Sequence, residues 1–230
     1  MSASRTLRQV AIVPVASLAL VAALLSGSAA REASTAARAA DHVSMDTHTL
    51  TPAELAFHDR MRKLWEDHIT WTRLAIVTFA DGSAGFPATA ARLLRNQTAI
   101  GDAIKPFYGK AAGNRLGALL HDHITIAVAV LQAAKAGDTA AFKSATGKWY
   151  RNANAIADFL AKANPKFWPD VMMRADMKTH LDQTLAEAAD ELQGHYRASV
   201  RDYAAVHRHI LAMADMLSNG IIRTFPGAFR

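Results

Sequence analysis

The 230-residue chain contains no cysteine. That excludes disulfide staples, thiolate metal sites, a cysteine nucleophile and the lipid-modified cysteine of a lipoprotein. It also lacks runs of alternating β-branched residues, so strands are not needed to account for its apolar pattern. Enzyme signatures are missing too. No Gly-x-Ser-x-Gly elbow, no phosphate-cradling Gly-x-x-x-x-Gly-Lys, no dinucleotide Gly-x-Gly-x-x-Gly and no His-Glu-x-x-His occurs, which argues against an enzyme of a familiar class. No Lys/Arg run with interleaved aromatics marks a nucleic-acid footprint, and the basic residues are scattered among acids.

What is present begins with a targeting pattern. Arg5 and Arg8 precede an apolar run from Val10 to Leu25, and Ser28-Ala29-Ala30 offers small residues for cleavage, so residues 1–30 read as a secretory signal. Sixteen apolar residues fall short of the roughly 20 that span a bilayer, and no later segment is expected to replace them. The expectation is an exported protein, periplasmic or secreted, without stable membrane insertion once the signal is removed. Its removal takes two arginines and no acid, so the formal charge falls from +6 to +4. Residues 31–50 are small and polar without an apolar period and read as a flexible linker. Residues 51–230 have the length of one domain.

Within 51–230 the apolar residues keep a helical period. Thr51-Pro52-Ala53-Glu54 is a capped helix start, and that helix should run to about Ala80. Breaks are expected at 81–87, 108–114, 136–138 and 164–170, and more weakly around Gly194. The fold class is therefore all-α: an up-and-down bundle of about six helical segments with a four-helix-bundle-like core, in which short connections make sequential neighbours antiparallel.

The tetrapeptide Asp-His-Ile-Thr occurs twice, at 67–70 and 122–125. By the three-or-four spacing, His68 shares a stripe with Leu64 and Trp71, and His123 shares one with Leu119 and Ile126. The same test places Asn96, Asn152, His180 and His207 in the apolar stripes of the other segments. The numbers 68, 96, 123, 152, 180 and 207 are separated by 27 to 29 residues, the spacing of residues at one height in an antiparallel bundle. Equal helix lengths alone would give even spacing. The residue types carry the information, because four of the six are histidine where a bundle core prefers Leu, Ile, Val or Ala.

A single histidine on an apolar face is usually a neutral core residue. Four imidazoles and two amides in one layer must pair with one another, with water or with a ligand, since each unpaired buried polar group costs roughly 1–3 kcal/mol. The sequence thus suggests a metal site formed by His68, His123, His180 and His207, with Asn96 and Asn152 as auxiliary groups. Imidazole suits zinc, copper, iron or nickel. Met173, Met177 and His180 share one face, as do His209, Met213 and Met216, and thioether beside imidazole tilts the expectation to copper ahead of zinc or iron. Plain core filling is the competing account of the methionines. The carboxylates Glu66, Asp67, Asp122 and Asp182 lie off the inward stripe, where they are solvated or support a ligand; Glu66 is counted as auxiliary. His121, His195 and His209 are expected at the surface, and His42, His48 and His58 belong to the linker and first turn.

The phrases LWEDHITWTR, RLLRNQTAIGDAIKPFYG, AAGNRLGALLHDHI, LQAAKAGD, WYRNANAIADFLAKANP and HILAMADMLSNGIIRTFPG together resemble a bacterial family of small helical proteins, some exported and some labelled glycosyltransferases. The resemblance spans about 55–228 and implies a helical domain of unassigned role, with no catalytic residues to carry over. A nucleotide-sugar enzyme would need an α/β sheet, which the helical period here does not supply. The expected function is an exported bundle that holds a transition metal for storage, sequestration or sensing. The competing class is a helical interaction module, binding a partner protein or a small apolar ligand, in which the polar layer only fixes helix register.

Overall fold

The structure, a computed structural model, describes residues 49–230. The signal over 1–30 and nearly all of the linker over 31–50 lie outside the described residues. Five α-helices follow one another: α1 (Pro52–Ala80), α2 (Phe86–Ala136), α3 (Thr139–Ala163), α4 (Asp170–Leu192) and α5 (Tyr196–Thr224), with a terminal 3-10 turn at Pro226–Phe229. No strand is present among the described residues.

The punctuation behaves as its chemistry requires. Thr51 and Glu54 form a reciprocal capping box, the Glu54 amide donating to Thr51 Oγ1 at 3.2 Å and the Thr51 amide to Glu54 Oε2 at 2.7 Å. Gly137 ends α2 in the left-handed region, and the Asp138 side chain accepts from the Ala141 amide at 2.9 Å to start α3.

The break expected over 108–114 is far tighter than a loop. Two helical limbs meet directly, and one residue leaves the helical region: Gly109, at φ 84° and ψ 166°. Only glycine occupies that part of conformational space at low cost. The chain there doubles back, so that Gly101 meets Gly113 and Gln97 lies beside Gly117. A Cβ on Gly101 would stand 2.5 Å from the Gly113 carbonyl oxygen, so the absence of a side chain is what lets the two limbs of α2, 86–108 and 110–136, touch.

Counting those limbs separately gives six rods, each antiparallel to the next. Asn96 reaches Leu64, Asn152 reaches Leu119, Asp182 reaches Tyr150 and His209 reaches Asp176. Contacts from Arg62 to Asp215 and from Arg73 to Ser199 run in opposite order along α1 and α5 and close the ring. The core is mainly apolar, with Ile69, Ile100, Ile156, Leu181, Ile210 and Ile221 all essentially fully buried, each such side chain contributing about 1.5–3 kcal/mol by leaving water.

One sequence expectation needs correction. Eighteen residues within α2 reach a mean hydropathy of 1.4, a composition that by itself suits a membrane span. Part of this apolarity serves the core, to which the second limb presents Leu116, Leu119, Leu120 and Val130.

Candidate functional site

The six rods form three successive hairpins: α1 with the first limb of α2, the second limb of α2 with α3, and α4 with α5. In the first rod of each hairpin a histidine points inward, at 68, 123 and 180, and all three are buried. The carbonyl four residues before each histidine accepts a hydrogen bond from a side chain of the second rod. Asn96 Nδ2 donates to Leu64 O, Asn152 Nδ2 to Leu119 O and His209 Nε2 to Asp176 O, each at 3.0 Å. The repeated Asp-His-Ile-Thr is therefore the visible part of a structural repeat that occurs three times, its third copy hidden because α4 shares only the histidine.

The rings of His68 and His180 are 5.7 Å apart between centres, and those of His123 and His180 are 6.2 Å apart. His68 accepts at Nδ1 from the Gln97 amide at 3.2 Å, an assignment supported by the same nitrogen donating to Leu93 O at 3.0 Å. This keeps the His68 proton on Nε2. On His123 the arrangement is reversed. Asn152 spends its NH2 on Leu119 O, so its Oδ1 faces His123 Nδ1 at 2.7 Å and must accept. The proton of His123 sits on Nδ1, and its Nε2 carries a lone pair.

That nitrogen has no hydrogen-bond partner, nor has Nδ1 of His180, and both are buried. Burial pushes the His68 ring down to about 3, with repulsion from His123 adding to it, and the His123 ring down to about 4 against the opposing hydrogen bond from Asn152. Burial first, then the neighbouring His68, His123 and His209, holds His180 well below 6.5. All three are neutral imidazoles at neutral pH, the form that binds a metal.

The three rings form one end of a cavity of about 50 Å³. Its walls are residues that follow each histidine toward the C-terminal end of its rod: Thr72 and Ile76, Ile124 and Val128, Thr184 and Leu185, with Trp149 alongside. Thr72 and Thr184 return their hydroxyls to the carbonyls of His68 and His180 at 2.8 Å, which leaves the cavity lining mainly apolar around the unpartnered nitrogens.

His207, expected in the layer, is not there. Its side chain is 28 % exposed, with Nε2 at 3.4 Å from Glu66 Oε1. The inward position at this height belongs to Val206, which is fully buried beside Ile210; one residue is 100° of helix, enough to turn the imidazole outward. Glu66 is exposed beside it. Asn96 is at the right level but its amide serves the helix contact. Met173 and Met177 fill the core as buried apolar side chains and do not line the cavity, so the thioether argument for copper loses its geometry. His209, expected at the surface, is half-buried against α4. Gln97 is the functional residue that pattern reading missed. Leu93, Gln97, Ile100 and Ile104 share a helical stripe, and that spacing was the available signal.

Among the described residues no three His, Asp or Glu side chains converge closely enough to hold a metal ion. The layer offers two unpartnered nitrogens, on His123 and His180, with the His68 ring beside them. The chain matches no known family model, no curated protein and no solved structure.

Proposed function

We propose that this domain binds a single transition-metal ion at the His123–His180 pair, with copper(I) ahead of zinc or iron, as an exported storage, sequestration or sensing protein. The observation that carries the reading is the pair of buried, neutral, unpartnered imidazole nitrogens at one end of an apolar cavity. Leaving both without a partner costs roughly 1–3 kcal/mol each, which a bound ion would recover. Ring centres 6.2 Å apart are a separation that one ion bonded at about 2 Å to a nitrogen of each ring would span once the two nitrogens face each other. Zinc favours four ligands in a tetrahedron. Copper(I), a closed-shell soft ion, accepts two, so the preference for copper now rests on ligand number. The amino-terminal signal pattern supports the exported compartment, and the scarcity of catalytic motifs supports a binding role.

The test is anaerobic titration of untagged protein with copper(I) against a chromophoric chelator, repeated with zinc(II) and iron(II). One tightly held equivalent of copper is expected, lost in His123→Ala and His180→Ala and kept in His207→Ala. Absence of tight binding in the wild type, or undiminished binding in both variants, would overturn the reading.

A second reading is favoured by the apolar lining of the cavity itself. Its walls would suit a small apolar ligand, with a water molecule bridging the two imidazoles. In that case no metal is retained, and the His/Asn/Gln layer acts by fixing helix register.

A further inference from the structure

Beyond the cavity, α4 continues its inward face from His180 and Thr184 to Glu187 and Glu191. Glu187 is fully buried and Glu191 nearly so. From α1, Arg73 reaches between them, with Nη1 at 3.2 Å from Glu187 Oε1 and Nη2 at 3.0 Å from Glu191 Oε2. It also donates to Ser199 Oγ of α5, which in turn donates to Glu191 Oε2 at 2.5 Å. Glu191 is thus satisfied by two donors. The second oxygen of Glu187 has no partner at all.

Two buried carboxylates share one guanidinium, so the cluster carries one negative charge too many. The rest of the surroundings do not cancel it. Asp190 and Asp202 form an acid pair on the α4–α5 side, with His195 at 3.2 Å from Asp190 and Arg201 acting on Asp202. Tyr203 lies beneath Arg73. From α2 and α3, the residues facing this stretch of α4 are apolar: Val130, Leu131 and Phe142 packing on Leu185 and Ala188. An ionised carboxylate in such a place is far costlier than a neutral acid.

We infer that Glu187 is a proton-operated latch: protonated, it lets α1 close on the α4–α5 hairpin at the end of the histidine cavity; ionised, it is repelled by Glu191 and Asp202 and loosens that end. Burial raises the Glu187 carboxyl from 4.5 to about 7, more than the opposing Arg73 lowers it, so the change falls near neutral pH. Thr184, Leu185 and Ala188, which line the cavity, lie on the same two turns of α4. Loosening them exposes the cavity as pH rises. The inference is independent of what the cavity holds.

Because the folded-state value lies above the unfolded one, the latch contributes its full stability below pH 4.5, loses it as pH rises to about 7 and contributes none above. The experiment compares the melting temperatures of full-length wild type and Glu187→Gln across roughly pH 5 to 8.5, with amide hydrogen exchange of 184–199 followed in parallel. The wild type is expected to fall progressively below the variant as pH rises. Exchange in that segment, corrected for intrinsic rate, should be about tenfold faster in the wild type at the alkaline end. Glu191→Gln, which removes one of the charges repelling Glu187 but leaves its burial, should shift the dependence to lower pH without abolishing it. Parallel curves for wild type and Glu187→Gln, or loss of the dependence in Glu191→Gln instead, would overturn the latch. Should Glu187→Gln fail to fold, infrared spectroscopy of the wild type decides: a protonated-carboxyl stretch at mildly acidic pH that disappears at alkaline pH supports the latch, and its absence refutes it.

Discussion

Asn152 does two things with one side chain. Its NH2 ties α3 to the Leu119 carbonyl and its oxygen holds the proton of His123 on Nδ1. Asn152→Leu would remove both contacts from a buried site and leave the His123 N–H without an acceptor, so a loss of about 2–3 kcal/mol in chemical unfolding is expected. Metal affinity should fall as well, because the lone pair on Nε2 would no longer be enforced. Asn96→Leu removes only the tie to Leu64 and the contact with Gln97. It should cost stability while changing affinity much less. Equal effects of the two substitutions on metal binding would show that tautomer control at His123 is not part of the site. The residue scale is also where pattern reading went astray. Even spacing brought His68, His123 and His180 to one height correctly, yet the three-or-four stripe test passed over Gln97 and assigned His207 to the interior, because such a stripe fixes the angle around a rod only to within about one residue. Val206 and His207 differ by 100°, and α5 resolves that difference in favour of the valine.

At the scale of elements, the Gly109 reversal decides how the second hairpin is positioned. Gly/Pro punctuation marked the place, since Pro106 supplies no amide to a helix arriving there and Gly109 supplies the unusual backbone. What the sequence could not show is that the limbs touch through Gly101 and Gly113, so that the connection needs one residue where a loop of several was expected. Gly109→Ala should cost about 1–3 kcal/mol from backbone strain alone, since the space a methyl group would take there is open and nothing stands within 4 Å to clash with it. Gly101→Ala should do worse, by forcing the limbs apart at the Gly113 carbonyl. Because the second limb carries His123, displacement there should also weaken copper(I) binding. Thermal melting followed by circular dichroism, with the chelator competition run on the same samples, checks both. A Gly101→Ala protein as stable as wild type would mean that the close approach is not needed for the fold.

For the whole molecule, the ring of three hairpins encloses two polar systems whose responses to pH oppose each other. Neither was fully legible beforehand: the histidine layer left a helical trace in the spacing, whereas Arg73, Glu187 and Ser199 come from three helices more than a hundred residues of chain apart at their extremes and leave no local pattern. The histidines are proton-poor in the folded state, at about 3 and 4 for His68 and His123 against 6.5 when unfolded. Below 6.5 the unfolded chain therefore binds more protons, and the stability present above that value is lost as pH falls toward 4 and then 3. Glu187 runs the other way, gaining stability as pH falls from about 7 to 4.5 and adding nothing further below. Between 6.5 and 4.5 Glu187 offsets only one of the three imidazoles, so the loss is slowed; below 4.5 it is unopposed. The urea midpoint should accordingly fall from about pH 6.5 downward, by a few kcal/mol in all. In Glu187→Gln the partial offset is gone, so the decline between pH 6.5 and 4.5 should be steeper than in the wild type. A wild-type midpoint that stays constant down to about pH 3 would show that the buried imidazoles do not govern acid unfolding, and with it that they are not held neutral by the fold.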